Sequence, residues 1–192
     1  IVTPTTQFPC SHGFVFGGLH VGCHTHGSPI SLVPSLATSC NSYFCWGLHR
    51  MFSAPQYGRV QDAMTVWKDH MVAMGFGYRL GIDLPGEARG FIPNAAFYDK
   101  WYGGRWRGLT VISISIGQGE VTLTPLQIAN LGATIANRGS YITPHVVKDI
   151  EGEELDSLYR FPKRTLVDKK HYEAVVQGMR EAVLDGTCSG AD

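Results

Sequence analysis

The sequence predicts a mainly α-helical fold with a few short strands, on three observations. Apolar residues recur every three or four positions over residues 57–74, the period of one buried helix face. Thr124–Gln127 matches a capping box, with proline at the first helical position. The alternation of apolar and polar residues that is typical of half-buried strands is confined to short segments. The 192 residues, 44% of them hydrophobic, are enough for a substantial core.

Charge and hydropathy exclude several classes of partner. Acidic and basic residues balance at 16 each, so nothing indicates binding to nucleic acid or to an anionic membrane, which both need a basic surface. The sequence contains no apolar run of about 18 residues, so no membrane segment is predicted. It has no initiator Met and no signal-peptide features. We therefore expect it to be a piece of a longer protein.

Residues 1–27 differ in composition from the rest of the chain. They are rich in Cys, His, Pro and Gly and show no sustained period, which predicts an ordered loop region with one short strand near Phe14–Phe16. Such a region has few apolar residues to pack into a rigid structure, so it needs another stabilising link, such as a bound metal ion. Residues 28–192 are predicted to be the helical body, and residues 1–192 together a single partial domain.

Two helices are predicted to meet near residue 40. The first begins near Ser28 or Ser31, with Pro34 in its first turn, where a missing N–H costs little. The second begins with Asn41 as its cap. Their inward residues are predicted to be Val33, Leu36, Ala37 and Cys40 in the first helix, and Phe44, Leu48, Met51 and Phe52 in the second.

The other elements are predicted from periodicity and from turn residues. In chain order they are a helix over residues 57–74 ending at Gly75, a short helix near Asn94–Tyr102, a strand at Thr110–Ile116, a helix from Thr124 to Gly139, a strand at Tyr141–Ile150, and a final helix from Asp168. The final helix is expected to bury Tyr172, Val175, Val176, Met179 and Val183.

The triplet Ser39-Cys40-Asn41 is the main candidate for chemistry. In an unbroken helix, residues 39 and 41 would point about 200° apart, so both serve one site only if one helix ends here and another begins. The hydroxyl could then relay a proton, and the amide could fix a substrate or a lysine. The alternative is that Ser39 and Asn41 only cap helices, as such residues commonly do.

Three stretches resemble the class B penicillin-binding proteins, and within that family the members that act in rod-shape elongation. They are HGSPISLVPSLATSCNSYF, MGFGYRLGIDLPGEARGFIP and SISIGQGEVTLTPLQIANLGATIANRGSYITPHVV, in the family's order, and they lie within Cys23–Val147 with gaps between them. The resemblance implies the helical part of a serine-transpeptidase α+β domain. It also implies that Ser39 and Asn41 form the second motif of the family's S-x-x-K, S-x-N and K-T-G set.

The resemblance also implies what the parent protein does. That protein would be a D,D-transpeptidase that cross-links peptidoglycan stem peptides through a serine acyl-enzyme and binds β-lactams. It would work with elongation-machinery proteins at the periplasmic face of the bacterial inner membrane, anchored by an N-terminal helix outside this segment.

Two of the three family motifs are missing from this sequence. No Ser is followed three residues later by Lys, the nearest spacing being Thr65-x-x-Lys68, and no K-T-G occurs. A nucleophile needs a base within hydrogen-bond reach, and both are absent here. We therefore expect this segment by itself to be inactive.

A second candidate site is the array C-x12-C-x2-H-x13-C, formed by Cys10, Cys23, His26 and Cys40. Three thiolates and one imidazole are a common ligand set of structural zinc. Two alternatives stay open. Cys10 and Cys23 could form a disulfide in the oxidising compartment that the resemblance implies, or Cys40 could be a small buried apolar residue beside surface histidines.

The remaining histidines and cysteines are weaker ligand candidates. His24 competes with His26, and His12 and His20 lie further from the array in sequence. Cys45 and Cys188 are predicted not to be ligands.

Two other functions are alternatives to the transpeptidase. One is a non-catalytic, zinc-stabilised module that binds cell-wall or morphogenesis proteins. The other is a metal-dependent hydrolase, which is weaker because no carboxylate lies near the cluster to act as base, the first acidic residue being Asp62.

Overall fold

The structure, a computed structural model, describes residues 2–191 and groups the chain into two units. The first unit comprises the chain up to Thr65, Asn94–Gly119 and the chain from Glu173 onward. The second comprises Val66–Pro93 and Glu120–Tyr172. The predicted single partial domain, divided into residues 1–27 and 28–192, stays a prediction.

The first unit opens with a β-hairpin. Strands β1 (Gly13–Phe16) and β2 (Leu19–Gly22) pair antiparallel, with Phe14 opposite Val21. Gly17 and Gly18, at φ +58° and +82°, form the two-residue turn, which needs positive φ at both positions. Phe14 is fully buried, and the strand predicted at Phe14–Phe16 is confirmed.

Helices α1 (Leu32–Ala37) and α2 (Asn41–Phe52) follow, with the predicted break between them. Ser31 is the N-cap of α1, as one of the two predicted starts has it. The predicted cap of α2 was wrong by one residue. Cys40 is the N-cap, because it has extended backbone angles and its Sγ accepts the Tyr43 N–H at 3.3 Å, whereas Asn41 is already helical.

The strand predicted at Thr110–Ile116 was also wrong. Gly108–Ile116 forms 3₁₀ turns, kinked at Val111 and packed on α2. Ile112 is buried as well as Val111 and Ile114, so the alternation does not separate a core face from a solvent face. The Ser115 hydroxyl donates to the Ile112 carbonyl at 2.6 Å, a local bond that closes a turn. Tertiary packing therefore overrides the strand pattern.

The other helices of the first unit are α3 (Val60–Ala73), which continues into the second unit, α4 (Ala95–Tyr102) and α7 (Tyr172–Leu184). Tyr172 in α7 is buried as predicted, but Met179 is exposed. The α7 face near α1 instead centres on Gly178, where a Cβ would lie 2.7 Å from the Cβ of Leu36. Close helix approach thus favours the smallest residue on that face.

The second unit is built around α5 (Pro125–Ala136), whose capping box is confirmed. Strand β3 (Ser140–Tyr141) pairs antiparallel with β4 (Lys163–Arg164), and α6 (Ser157–Arg160) lies between them in sequence. The strand predicted at Tyr141–Ile150 was wrong beyond Tyr141. Pro144 has no N–H for a strand ladder, and the N–H groups of Val146 and Val147 bond to the Asp83 carboxylate instead. Within residues 2–191, every helix falls short of the length and hydropathy that a membrane crossing needs.

Candidate active-site loop and metal centre

The loop between α1 and α2 holds its first candidate residue in a strained conformation. Ser39 has φ +52°, in the left-handed region that costs a non-glycine residue about 1–2 kcal/mol. The Ser39 N–H donates to the Leu36 carbonyl at 3.3 Å, and the Cys40 N–H donates to the Ser35 carbonyl at 2.9 Å. These two bonds close the turn around Ser39. Strain of this kind concentrates at functional sites.

Ser39 and Asn41 lie on the same loop but have different surroundings. Ser39 is exposed, and its hydroxyl makes no hydrogen bond to any residue between 2 and 191. The Asn41 side-chain amide donates to the Gly22 carbonyl at 3.0 Å, which ties the first turn of α2 to the end of β2. The loop therefore presents one uncommitted hydroxyl beside an anchored amide whose oxygen can still accept hydrogen bonds.

The four predicted metal ligands are brought together. The donor atoms of Cys10, Cys23, His26 and Cys40 all lie within 4.8 Å of one another. Zinc at about 2.3 Å from each sulfur separates tetrahedral donor atoms by about 3.8 Å, so shifts of about 1 Å would complete the geometry. Among the described residues His24 is not part of this group, although its ring centroid is 5.5 Å from that of His26.

The orientation of His26 suits a ligand. Its Nδ1 lies 2.8 Å from the Gly27 carbonyl, and a carbonyl only accepts, so Nδ1 carries the proton. Nε2 is then unprotonated and faces Cys23 Sγ at 3.4 Å. A backbone carbonyl that fixes the imidazole tautomer in this way is a common support of metal-binding histidines.

Burial makes a thiolate at Cys40 costly without a nearby cation. Cys40 is fully buried, and burial raises its pKa to about 12, with the negative charges of Cys10 and Cys23 adding to the effect. The Tyr43 N–H bonded to its sulfur acts in the opposite direction. A metal ion would supply the positive charge that a deprotonated Cys40 lacks.

Cys23 has a different balance of effects. Burial on its own would raise the pKa of Cys23, but the hydrogen bond between Cys23 and His26 and the backbone N–H groups of Asn41 and Ser42 together lower it. Two backbone N–H groups thus stabilise the Cys23 thiolate, whereas one, that of Tyr43, stabilises the Cys40 thiolate. The donor set fits a structural zinc ion in both chemistry and spacing.

Apolar side chains surround the cluster. Phe8, Ile30 and Tyr43 pack with Cys10 and Cys40, and an isolated bridge joins Phe8 to Ile30. A shell of this kind keeps water away from a metal site. The sulfur of the buried Cys45 lies 3.4 Å from the Ser115 hydroxyl, and Cys188 is exposed; among the described residues, neither belongs to the cluster.

Sequence reasoning missed the backbone groups that hold this site. The carbonyls of Gly22 and Gly27, which accept from Asn41 and His26, carry no side-chain signal in the sequence. The positive φ of Ser39 is equally invisible, because serine is not a residue that marks left-handed turns.

The model of the penicillin binding protein transpeptidase domain family matches residues 1–192. Peptidoglycan D,D-transpeptidase MrdA of Acinetobacter baumannii is 34% identical over 161 residues, which cover 84% of this chain and 22% of that protein. This chain thus spans about a fifth of the length of the curated relatives it matches.

Two solved structures superpose closely on this fold. PBP2 of Pseudomonas aeruginosa, in complex with WCK 5153, gives a TM-score of 0.75 at 26% identity, covering 98% of this chain and 40% of that one. PBP2 of Helicobacter pylori, in complex with MreC, gives a TM-score of 0.70 at 26% identity, covering 94% of this chain and 31% of that one.

Proposed function

This chain belongs to the penicillin-binding protein transpeptidase family, and on that basis we propose that it supplies the S-x-N part of the active site of a peptidoglycan D,D-transpeptidase of the PBP2 type. The similar protein of Acinetobacter baumannii is named a peptidoglycan D,D-transpeptidase, and the similar solved structure from Pseudomonas aeruginosa is named PBP2. The observation that carries the proposal is the exposed, strained Ser39 at a helix break, next to the anchored Asn41.

In this proposal Ser39 and Asn41 have separate roles. The Ser39 hydroxyl can both donate and accept a hydrogen bond. It therefore relays a proton between the lysine that acts as base for the nucleophilic serine and the leaving group. The Asn41 amide, held by Gly22, fixes the substrate or the catalytic lysine in position. The nucleophile and its lysine come from an S-x-x-K motif, which this sequence does not contain.

The isolated chain should therefore not be acylated. We expect no stoichiometric adduct when the 192-residue chain is incubated with a fluorescent penicillin and separated under denaturing conditions. The full-length protein that contains it, labelled in parallel, should give a band. A stoichiometric adduct on the isolated chain would refute this account, because it would require a nucleophile among these residues.

Partners and location follow from the same proposal. The full-length protein would bind stem peptides and β-lactams, and would act with elongation-machinery proteins, as the Helicobacter pylori PBP2 complex with MreC suggests. It would work at the periplasmic face of the inner membrane, anchored by an N-terminal helix outside these residues. The comparisons lend no support to the alternative of a non-catalytic zinc-stabilised module.

We also propose that Cys10, Cys23, His26 and Cys40 bind a structural zinc ion. Their clustered donor atoms and the tautomer of His26 support this. The ion, when bound, would link the N-terminal loops to the start of α2 without taking part in the chemistry. Because Cys40 lies between Ser39 and Asn41, the ion would restrain the loop that carries both.

Metal analysis tests the zinc proposal. Protein purified without added zinc should contain about one equivalent, Cys40→Ser should lose it, and Cys188→Ser, which alters an exposed cysteine outside the cluster, should keep it. A folded, metal-free wild-type sample that does not take up zinc on titration would refute the proposal.

A further inference from the structure

The three thiols of the cluster are close enough to react with one another and differ in accessibility. Their sulfur atoms lie within 4.8 Å of one another, so an S–S bond of about 2.05 Å would require two of them to approach by up to about 2.8 Å. Cys23 is half-buried, whereas Cys10 and Cys40 are buried. An oxidant arriving from solvent therefore meets Cys23 first.

The backbone environment separates the two possible partners of Cys23. Cys40 caps α2, and its sulfur accepts the Tyr43 N–H, so a bond to Cys23 would disrupt a helix start. Cys10 lies in a loop that precedes the hairpin, and Cys23 directly follows the hairpin. The Cys23 N–H donates to the His12 carbonyl at 2.9 Å, which holds the two loops side by side.

We propose that Cys10 and Cys23 form a reversible disulfide on oxidation by peroxide. The redox state of the cluster would thereby determine how the loop that carries Ser39 and Asn41 is held in place. The disulfide itself does not depend on the proposed zinc. The release of metal on oxidation does rest on that proposal.

The chemistry balances in two steps. The Cys23 thiolate attacks one oxygen of hydrogen peroxide, the O–O bond breaks, and Cys23 sulfenic acid and hydroxide form. The Cys10 sulfur then attacks the Cys23 sulfur, the S–S bond forms, and the hydroxyl leaves as water after taking the thiol proton. Together, two thiols and one peroxide give one disulfide and two waters. Reduction by a thiol restores both cysteines.

Oxidation would replace the proposed zinc cross-link with a disulfide cross-link. It removes two of the four proposed ligands, and His26 with Cys40 alone cannot complete a tetrahedral zinc site. The covalent bond would still join the loops on both sides of the hairpin. Gly22, which anchors Asn41, precedes Cys23 in sequence and would stay in place.

Peptide mapping under non-reducing conditions tests this. Zinc-free chain treated with one equivalent of hydrogen peroxide should show Cys10 linked to Cys23, with free thiols falling by two from the five in the sequence. The Cys188→Ser variant should form the same link, and Cys10→Ser should form none. Circular dichroism of each variant separates a lost link from a lost fold.

The outcomes separate the two proposals. In zinc-loaded protein, oxidation should be slower and should release one zinc per disulfide; a chain that binds no zinc but forms the link would leave this inference standing and refute the metal site. A link that involves Cys40, or loss of thiols without any link between Cys10 and Cys23, would overturn the inference.

Discussion

Ser39 and Cys40 are neighbours in sequence but meet opposite environments. Ser39 faces solvent in a left-handed conformation, while Cys40 is fully buried and caps α2 through its sulfur. A loop shaped only for stability would place glycine at the left-handed position. In the proposed function, the serine is accounted for by the role of its hydroxyl in the active site.

Replacing Ser39 tests whether the strained backbone at this position lowers the free energy of unfolding. Ser39→Gly should raise the free energy of unfolding by about 0.5 kcal/mol, since relief of about 1–2 kcal/mol of backbone strain is offset by the greater entropy of an unfolded glycine. Urea denaturation measures the change. Ser39→Ala keeps the Cβ and should give no gain, so an equal gain for both variants would contradict the role of strain.

Asp83 is a second residue whose role can be tested, through pH. The N–H of Val147 and then that of Val146 hydrogen-bond to its carboxylate and lower the pKa of Asp83 below the usual 3.8. A depressed folded pKa means that the stabilisation is present above pH 3.8 and is lost as the pH falls through the lower value.

We therefore expect Asp83→Asn to lower the urea midpoint at neutral pH and to flatten its fall between about pH 4 and pH 2. Urea titrations across this range provide the measurement. Asp149→Asn, at an exposed carboxyl, is the matched control and should leave the slope unchanged. An unaltered slope in Asp83→Asn would show that the Val146 and Val147 contacts carry no pH dependence.

At the scale of elements, helices α1–α5 and α7 were predicted, the four-residue α6 was not, and two of the predicted strands were wrong. The start of α5 follows from Thr124 and Gln127, which bond reciprocally at 3.2 and 3.1 Å, because a capping box is a local device that short-range sequence encodes. The strand predictions for residues 110–116 and 142–150 were wrong because the structural partners of these segments are distant in sequence. The partner is α2 for the first segment and Asp83 for the second.

The same distinction holds for the candidate site. The four candidate metal ligands and the helix break at Ser39 follow from residue types and spacing. The anchoring of Asn41 on Gly22 does not, since any backbone carbonyl offers the same acceptor and only the fold selects one.

Gln127 provides the sharpest test of an element. Its side chain is 1% exposed, accepts the Thr124 N–H and donates to the Tyr78 carbonyl at 2.7 Å. Gln127→Ala should lower the free energy of unfolding by about 2–3 kcal/mol, because it leaves the Thr124 N–H and the Tyr78 carbonyl without their hydrogen-bond partner. Gln118→Ala, at an exposed position, should cost less than about 0.5 kcal/mol. Similar costs for the two in urea denaturation would contradict this account of α5.

At the scale of the whole molecule, the proposed function divides the active site between this chain and motifs it does not contain. The chain holds Ser39 and Asn41, and it spans about a fifth of its curated relatives. The proposed contribution of these two residues to catalysis would therefore be measured in the full-length protein. The cluster around Cys40, by contrast, is complete within these residues and can be studied in the chain itself.

The measurement that tests the central claim most directly is the rate at which a β-lactam acylates the full-length protein carrying Ser39→Ala. We expect a fall of about 10²-fold or more, the usual contribution of a group that transfers a proton in the transition state. Ser53→Ala, at the exposed C-cap of α2, should leave the rate unchanged. Acylation of Ser39→Ala at the unmodified rate would contradict the assignment of Ser39 to the active site.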